Sequence, residues 1–197
     1  PDMSVASGTV EMKVHLTQKQ KTQAVTGTLA LADFTGRFGK NEVRSLGTAV
    51  DFDVAMTPQQ IQLRKAAGKL TQGEKTGGTF DFTATYDPTN KSASLTAKLA
   101  DLNQNGLGQF LEPMLADKKL VSVAINGNAS AQYDPQGASA VKADFQVTNL
   151  VVKDPKGQFP ATPLEAKMQV DASLKKQVAD VRQFQITLTP TARATNQ

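Results

Sequence analysis

Apolar and polar residues alternate with period two along most of this chain. Val50, Phe52, Val54 and Met56 leave Asp51 and Asp53 between them, and Leu164, Ala166, Met168, Val170, Ala172 and Leu174 repeat the pattern. Period two sends successive side chains to opposite faces, so it predicts strands with one dry and one wet face. The same texture runs through 10–16, 25–31, 80–86, 93–99, 121–125, 129–133 and 141–147. The polar run 17–23 reads as a turn, the second strand as ending near Asp33-Phe34, and Gly36 and Gly39 as a loop. Thr57-Pro58-Gln59-Gln60, Asp87-Pro88-Thr89-Asn90, Asp134-Pro135-Gln136-Gly137 and Asp154-Pro155-Lys156-Gly157 carry turn chemistry. Connections this short favour antiparallel neighbours.

The period changes once. Leu107, Phe110, Leu111, Met114 and Leu115 follow helical spacing, with Asn105 as the predicted N-cap and Pro113 as a kink or break. Leu107, Phe110, Leu111 and Met114 make its apolar stripe, either a plug at one end of the sheet or a lid over it. The predicted architecture is therefore all-β and mostly antiparallel. It is a curved, repeated meander sheet or groove with one short kinked amphipathic helix near the middle. Residues 1–197 read as a single domain with two related halves, about 8–104 and 121–190, joined by a helical segment 105–119.

The halves are related by a repeat. A shift of 118 residues brings Leu46 onto Leu164, Asp53 onto Asp171, Gln59 onto Gln177, Leu63 onto Val181, Arg64 onto Arg182 and Leu70-Thr71 onto Leu188-Thr189. Upstream, a shift of 116 brings Leu29, Leu31, Asp33 and Phe34 onto Phe145, Val147, Asn149 and Leu150. Amphipathic hairpins resemble one another, yet a register held through 26 residues with identical Asp, Gln and Arg positions favours duplication. Such a repeat suggests an array that can be extended at both ends.

Composition narrows the function classes. At 39% hydrophobic and 20% charged residues the 197-residue chain falls in the globular range, with a mean hydropathy of −0.33. No run approaches the roughly 18 apolar residues of a transmembrane helix. The start Pro1-Asp2-Met3-Ser4 has neither an initiator methionine nor a leader and reads as a processed or excised piece. Cys is absent, which removes disulfides, thiolate metal sites and cysteine nucleophiles. The net charge of +4 is scattered, Trp is absent, and both tyrosines, Tyr86 and Tyr133, precede Asp-Pro. No basic stripe with interleaved aromatics is present, so nucleic acid is not an expected partner.

Candidate chemistry is thin. His15, the one histidine, lies opposite the apolar positions of its strand, where a solvated surface role outweighs a base or ligand. Asp51 and Asp53 share a polar face that could hold Ca²⁺ weakly, but a charged wet face accounts for both. The segment Gly73-Glu74-Lys75-Thr76-Gly77-Gly78 lacks Walker spacing and opens onto no helix, so it reads as a flexible hairpin connection. No serine has a nucleophile elbow. The expectation is a non-enzyme without metal or cofactor. Phe52, Phe80, Phe82, Phe145 and Phe184 are either the core of a closed sandwich or the dry face of a concave sheet.

Three stretches carry a family resemblance: 107–115 (LGQFLEPML), 121–131 (VSVAINGNASA) and 141–152 (VKADFQVTNLVV). Together they resemble the AsmA-like family of bacterial envelope proteins, in which a short amphipathic helix precedes strands of this texture and a strand ends in Asn-Leu or Asp-Leu. Asp33-Phe34 and Asn149-Leu150 stand in that last place here. The resemblance extends from about Gly8 to Leu188. It implies a curved antiparallel sheet forming a hydrophobic groove, related to bridge-like lipid-transfer proteins of the periplasm that serve outer-membrane biogenesis. It also implies a membrane anchor in the full-length chain, absent here. The family has no fixed catalytic residues to carry over.

The function expected from these readings is a periplasmic β-groove module that contacts or transfers phospholipid acyl chains between envelope membranes. Val50, Phe52, Val54, Met56, Phe80, Phe82, Phe145, Val147, Met168 and Val170 are its predicted lipid-contacting face. The expected partners are acyl chains, a membrane surface or envelope proteins, without nucleic acid or a small-molecule cofactor. The alternative is a structural or adhesive β-sandwich that binds protein partners and holds no lipid. A closed soluble lipid carrier is a third reading. Closure discriminates among them, because a sandwich needs a second sheet over the first.

Overall fold

Residues 3–39, 41–115, 117–157, 162–176 and 178–190 are described by the structure, a computed structural model. Gln177, matched above to Gln59, and the Pro1-Asp2 start lie outside them. The strands are β1 (Met3–Lys19), β2 (Thr22–Phe38), β3 (Asn41–Met56), β4 (Ile61–Gln72), β5 (Lys75–Asp87), β6 (Ser92–Asn103), β7 (Lys119–Tyr133), β8 (Ala138–Lys153), β9 (Leu164–Lys175) and β10 (Val178–Pro190). All ten form one sheet in strict sequence order, each antiparallel to the next. A closed sandwich would need two sheets. The described strands form one, and it is open.

Several sequence boundaries shift. Strands β1 and β2 run to Lys19 and from Thr22, so only 20–21 remain of the turn read over 17–23. β2 does not stop at Asp33-Phe34, and Gly36 lies within it instead of in a loop. The glycine-rich connection shrinks to Gly73-Glu74, because the β ladder resumes at Lys75 and Gly77 is buried.

β2 continues because a bulge absorbs an extra residue. Asp33 takes φ 50°, and the pairing with β3 skips from Leu31 to Phe34. Asp101 (φ 52°) and Asn149 (φ 53°) do the same between Leu99 and Leu102 and between Val147 and Leu150. Asp and Asn tolerate the left-handed region better than other side chains. The extra residue restores parity, so Phe34, Leu102 and Leu150 stay on the same face as Leu31, Leu99 and Val147.

The repeat is carried in the register. Met56–Ile61, Val54–Leu63 and Val50–Gly68 map by 118 onto the pairs Leu174–Ala179, Ala172–Val181 and Met168–Ile186. Leu29–Val50 and Phe34–Leu46 likewise map onto Phe145–Met168 and Leu150–Leu164. Arg64 and Arg182 are the extra residues of equivalent bulges in β4 and β10.

Between β6 and β7 stands α1 (Gln104–Leu111), followed by a 3-10 turn (Glu112–Met114). Pro113 ends the α-helix, having no amide to donate. The N-cap is Asn103, not Asn105: its side chain accepts the Asn105 amide at 3.0 Å. The predicted segment 105–119 also shortens at its far end, because Lys119 already begins β7. Leu111 and Leu115 pack on the buried cluster Leu120, Val123 and Val152 at one lip of the sheet.

Candidate functional site: an uncovered apolar face

Paired residues of neighbouring strands share a face, so the register defines rows across the sheet. One row reads Met12, Leu29, Val50, Gly68, Phe80, Leu99, Gly127, Phe145, Met168, Ile186. The next reads Val14, Gly27, Phe52, Ala66, Phe82, Ala97, Ala129, Ala143, Val170, Phe184, and the third Leu16, Val25, Val54, Leu63, Ala84, Leu95, Ala131, Val141, Ala172, Val181. No polar side chain interrupts any of them. Between the first two rows, on the opposite face, runs Lys13, Thr28, Asp51, Ala67, Asp81, Lys98, Asn128, Asp144, Gln169, Gln185.

The structure therefore places all ten predicted contact residues on one face. Val50, Phe80, Phe145 and Met168 share the first row, Phe52, Phe82 and Val170 the second, and Val54 the third. Met56 pairs with Ile61 just beyond the third row, and Val147 pairs with Ile125 and Ala166 beyond the first. Sequence reasoning left Met12, Leu29, Leu99 and Ile186 out of this set. Counting register from one hairpin turn to the next would have found them.

The rows stay shallow because phenylalanine rings lie over glycines. A Cβ on Gly68 would stand 2.7 Å from the Phe80 ring, and one on Gly27 2.7 Å from that of Phe52. Phe145 covers Gly127 in the same way. Each ring leans toward the preceding strand and lies along the sheet instead of standing up from it.

Little covers this face. The described hydrophobic residues that are buried are Val43, Ala55, Leu102, Leu120, Val123, Val152 and Leu164, and most lie at the α1 lip. Met12 is 60% exposed, Leu95 45% and Phe184 67%. Phe184 is thus a surface residue of an edge strand and not core. Nine strand spacings make the rows about 43 Å long, and the three rows occupy roughly 1,000 Å² of sheet. The largest apolar patch on a typical monomer is about 300–600 Å².

At one lip α1, about 12 Å long, lies against the ends of β3, β4, β5, β6 and β7. Gln109 donates from Nε2 to the Arg44 carbonyl at 3.0 Å and accepts the Arg44 amide. Asn105 donates to the Thr76 carbonyl at 3.0 Å, and Gln104 accepts the Val123 amide at 3.2 Å. Gly106 rests on the backbone of Gly77, where a side chain on either would collide. Of the predicted stripe, Leu107 and Leu111 are half-buried, whereas Phe110 and Met114 are 48% and 79% exposed.

The opposite lip carries the hairpin turns. There the apolar face holds a hollow of about 390 Å³ lined by Ile61, Leu63, Tyr86, Leu95 and Tyr133. A second hollow of about 540 Å³ lies on the polar face among Asp51, Lys69, Asp81 and Lys98. Asp51 pairs with Lys65 at 3.2 Å and Asp53 with Arg64 at 2.9 Å, and His15 is exposed opposite Thr26. Among the described residues no three His, Asp or Glu side chains converge as metal ligands. No helix among them is long and apolar enough to cross a membrane.

No family model, curated protein or solved structure matches the chain.

Proposed function

We propose that this chain is a non-enzymatic β-groove module of the bacterial envelope, and that its apolar face holds or conducts phospholipid acyl chains. The observation that carries this reading is the continuity of three apolar rows through all ten strands, with no second sheet over them among the described residues. A sheet folding for its own stability would bury such a face. Each CH₂ withdrawn from water is worth about 0.8 kcal/mol, so a chain slides along an unbroken dry surface at nearly constant free energy. A polar residue in any row would raise a barrier. At about 43 Å the rows exceed the roughly 30 Å hydrocarbon thickness of a bilayer. In the AsmA-like setting that the sequence resembles, the module is periplasmic, belongs to a membrane-anchored protein, and lies on a path between the envelope membranes.

The test is native mass spectrometry with lipid extraction, on protein expressed into a bacterial envelope. The wild type retains phospholipid. Phe52→Asp, which puts a carboxylate in the second row, releases it. Asp53→Asn, on the other face, does not. Apo wild-type protein that also fails to take up added lipid overturns the proposal, and so does equal loss from both variants.

A further inference from the structure

We infer that the hairpin-turn lip of the groove binds the anionic phosphate headgroup of the lipid whose acyl chains lie on the apolar rows. The inference rests on the groove reading and adds to it the class of lipid. Lysines stand at three of the five turns on this lip: Lys19 and Lys21 around the β1–β2 turn, Lys91 at β5–β6, and Lys175 and Lys176 at β9–β10. These are the first, third and fifth turns, about 19 Å apart along the groove.

None of these five lysines joins a salt bridge formed by the described residues. Elsewhere some cations are matched, although Lys75, Lys119 and Lys153 at the α1 lip likewise join no salt bridge among the described residues. At the α1 lip Arg44 pairs with Glu42, and Asp117 takes both Lys118 and Lys156. The carboxylates of the turn lip are turned to local use. Asp87 accepts the amides of Thr89 and Asn90 at 2.8 and 3.0 Å, and Asp134 accepts that of Gln136 at 2.9 Å. Asp180, on β10, is the remaining carboxylate near these turns. The lysine charge therefore faces outward without a matching anion.

Two of the lysines also occupy strained backbone. Lys91 has φ 55° and Lys176 φ 47°, a region that Gly or Asn enters with less strain. Tyr86 and Tyr133 stand on the apolar side of the same lip, and both line its apolar hollow. The apolar body and polar end of a tyrosine suit the boundary between acyl chain and headgroup. Lysines at such a boundary attract anionic phospholipid.

The experiment compares capture of phosphatidylglycerol and phosphatidylcholine of identical acyl chains by the wild type and by two variants. In one, Lys19, Lys21, Lys91, Lys175 and Lys176 are all changed to Gln; in the other, to Arg. The wild type favours phosphatidylglycerol by about fivefold or more at low salt, and the preference shrinks as salt screens it. The Gln variant holds both lipids equally while still capturing phosphatidylcholine, and the Arg variant keeps the preference. Capture of both lipids without preference by the wild type overturns the inference and leaves the groove standing. Capture of neither overturns the groove itself. A preference that survives in the Gln variant places the headgroup elsewhere. Inorganic phosphate binding to the wild type as tightly as phosphatidylglycerol makes free phosphate the ligand and also overturns the inference.

Discussion

The Arg182 guanidinium lies 2.6 Å from the Asp171 carboxylate across β9 and β10, and 118 residues earlier Arg64 meets Asp53 at 2.9 Å across β3 and β4. In both places the arginine is the extra residue of a bulge, and the aspartate belongs to the neighbouring strand. A bulge leaves one side chain without a cross-strand partner in the ladder. The ion pair supplies one at the residue by which the strand's register is offset.

The Asp171 site also makes a pH prediction. Arg182 holds its carboxyl below the ordinary value of 3.8, with Lys142 at 3.2 Å adding to the effect against partial desolvation. A carboxylate with a depressed folded-state pKa contributes stability above its unfolded pKa and loses it as pH falls through the folded value. The stability difference between wild type and Asp171→Asn is therefore expected to be level from neutral pH down to roughly pH 5, to begin falling as pH approaches the ordinary carboxyl value, and to vanish only once pH has dropped below the lowered folded-state value. Urea denaturation at a series of pH values measures it. A difference that grows on acidification contradicts the assignment.

Gly68 tests the seating of the rings. Its added Cβ would lie 2.6 Å from the Ala49 carbonyl and 2.7 Å from the Phe80 ring. Gly68→Val should destabilise by about 1–3 kcal/mol, the usual result of overpacking. Combining Gly68→Ala with Phe80→Leu should recover part of the loss from Gly68→Ala alone, because contacting residues couple. Additive losses in equilibrium unfolding would show that the ring does not need that glycine.

Gln109 tests the hold of α1 on β3. Its amide serves both backbone groups of Arg44, and Gln109→Ala removes both bonds. At about 0.5–1.5 kcal/mol each, their loss should lower hydrogen-exchange protection of the Arg44 amide by roughly tenfold while β9 and β10 keep theirs. Unchanged exchange at Arg44 would mean that Gly106 on Gly77 alone seats the helix.

Much of the architecture was legible in local pattern. Period two locates most of the strands, Asp-Pro and Thr-Pro turns separate many of them, and one change of period marks the helix. Bulges were not legible as such. Asp33-Phe34 and Asn149-Leu150 look like strand ends, because a left-handed residue breaks the alternation that defines a strand to the reader. Asp101-Leu102 passed unnoticed although Leu99, Asp101 and Leu102 repeat the spacing of Leu31, Asp33 and Phe34. The helix cap was misplaced by two residues because Asn103 and Asn105 are equally good caps on paper, and only the end of β6 decides between them.

By itself, the sequence determined which residues share a face. Side-chain direction along a strand is set by backbone geometry within two residues, and short turns oblige neighbouring strands to pair. It did not determine whether Phe52 and Phe82 meet another sheet or stand uncovered, since both arrangements use the same alternation. The tertiary structure decided that. Ten strands pairing strictly in order use all but the two outermost hydrogen-bonding edges within a single sheet, and the helix among the described residues covers only a lip of it. The apolar rows stay open because the described residues include nothing to lay over them.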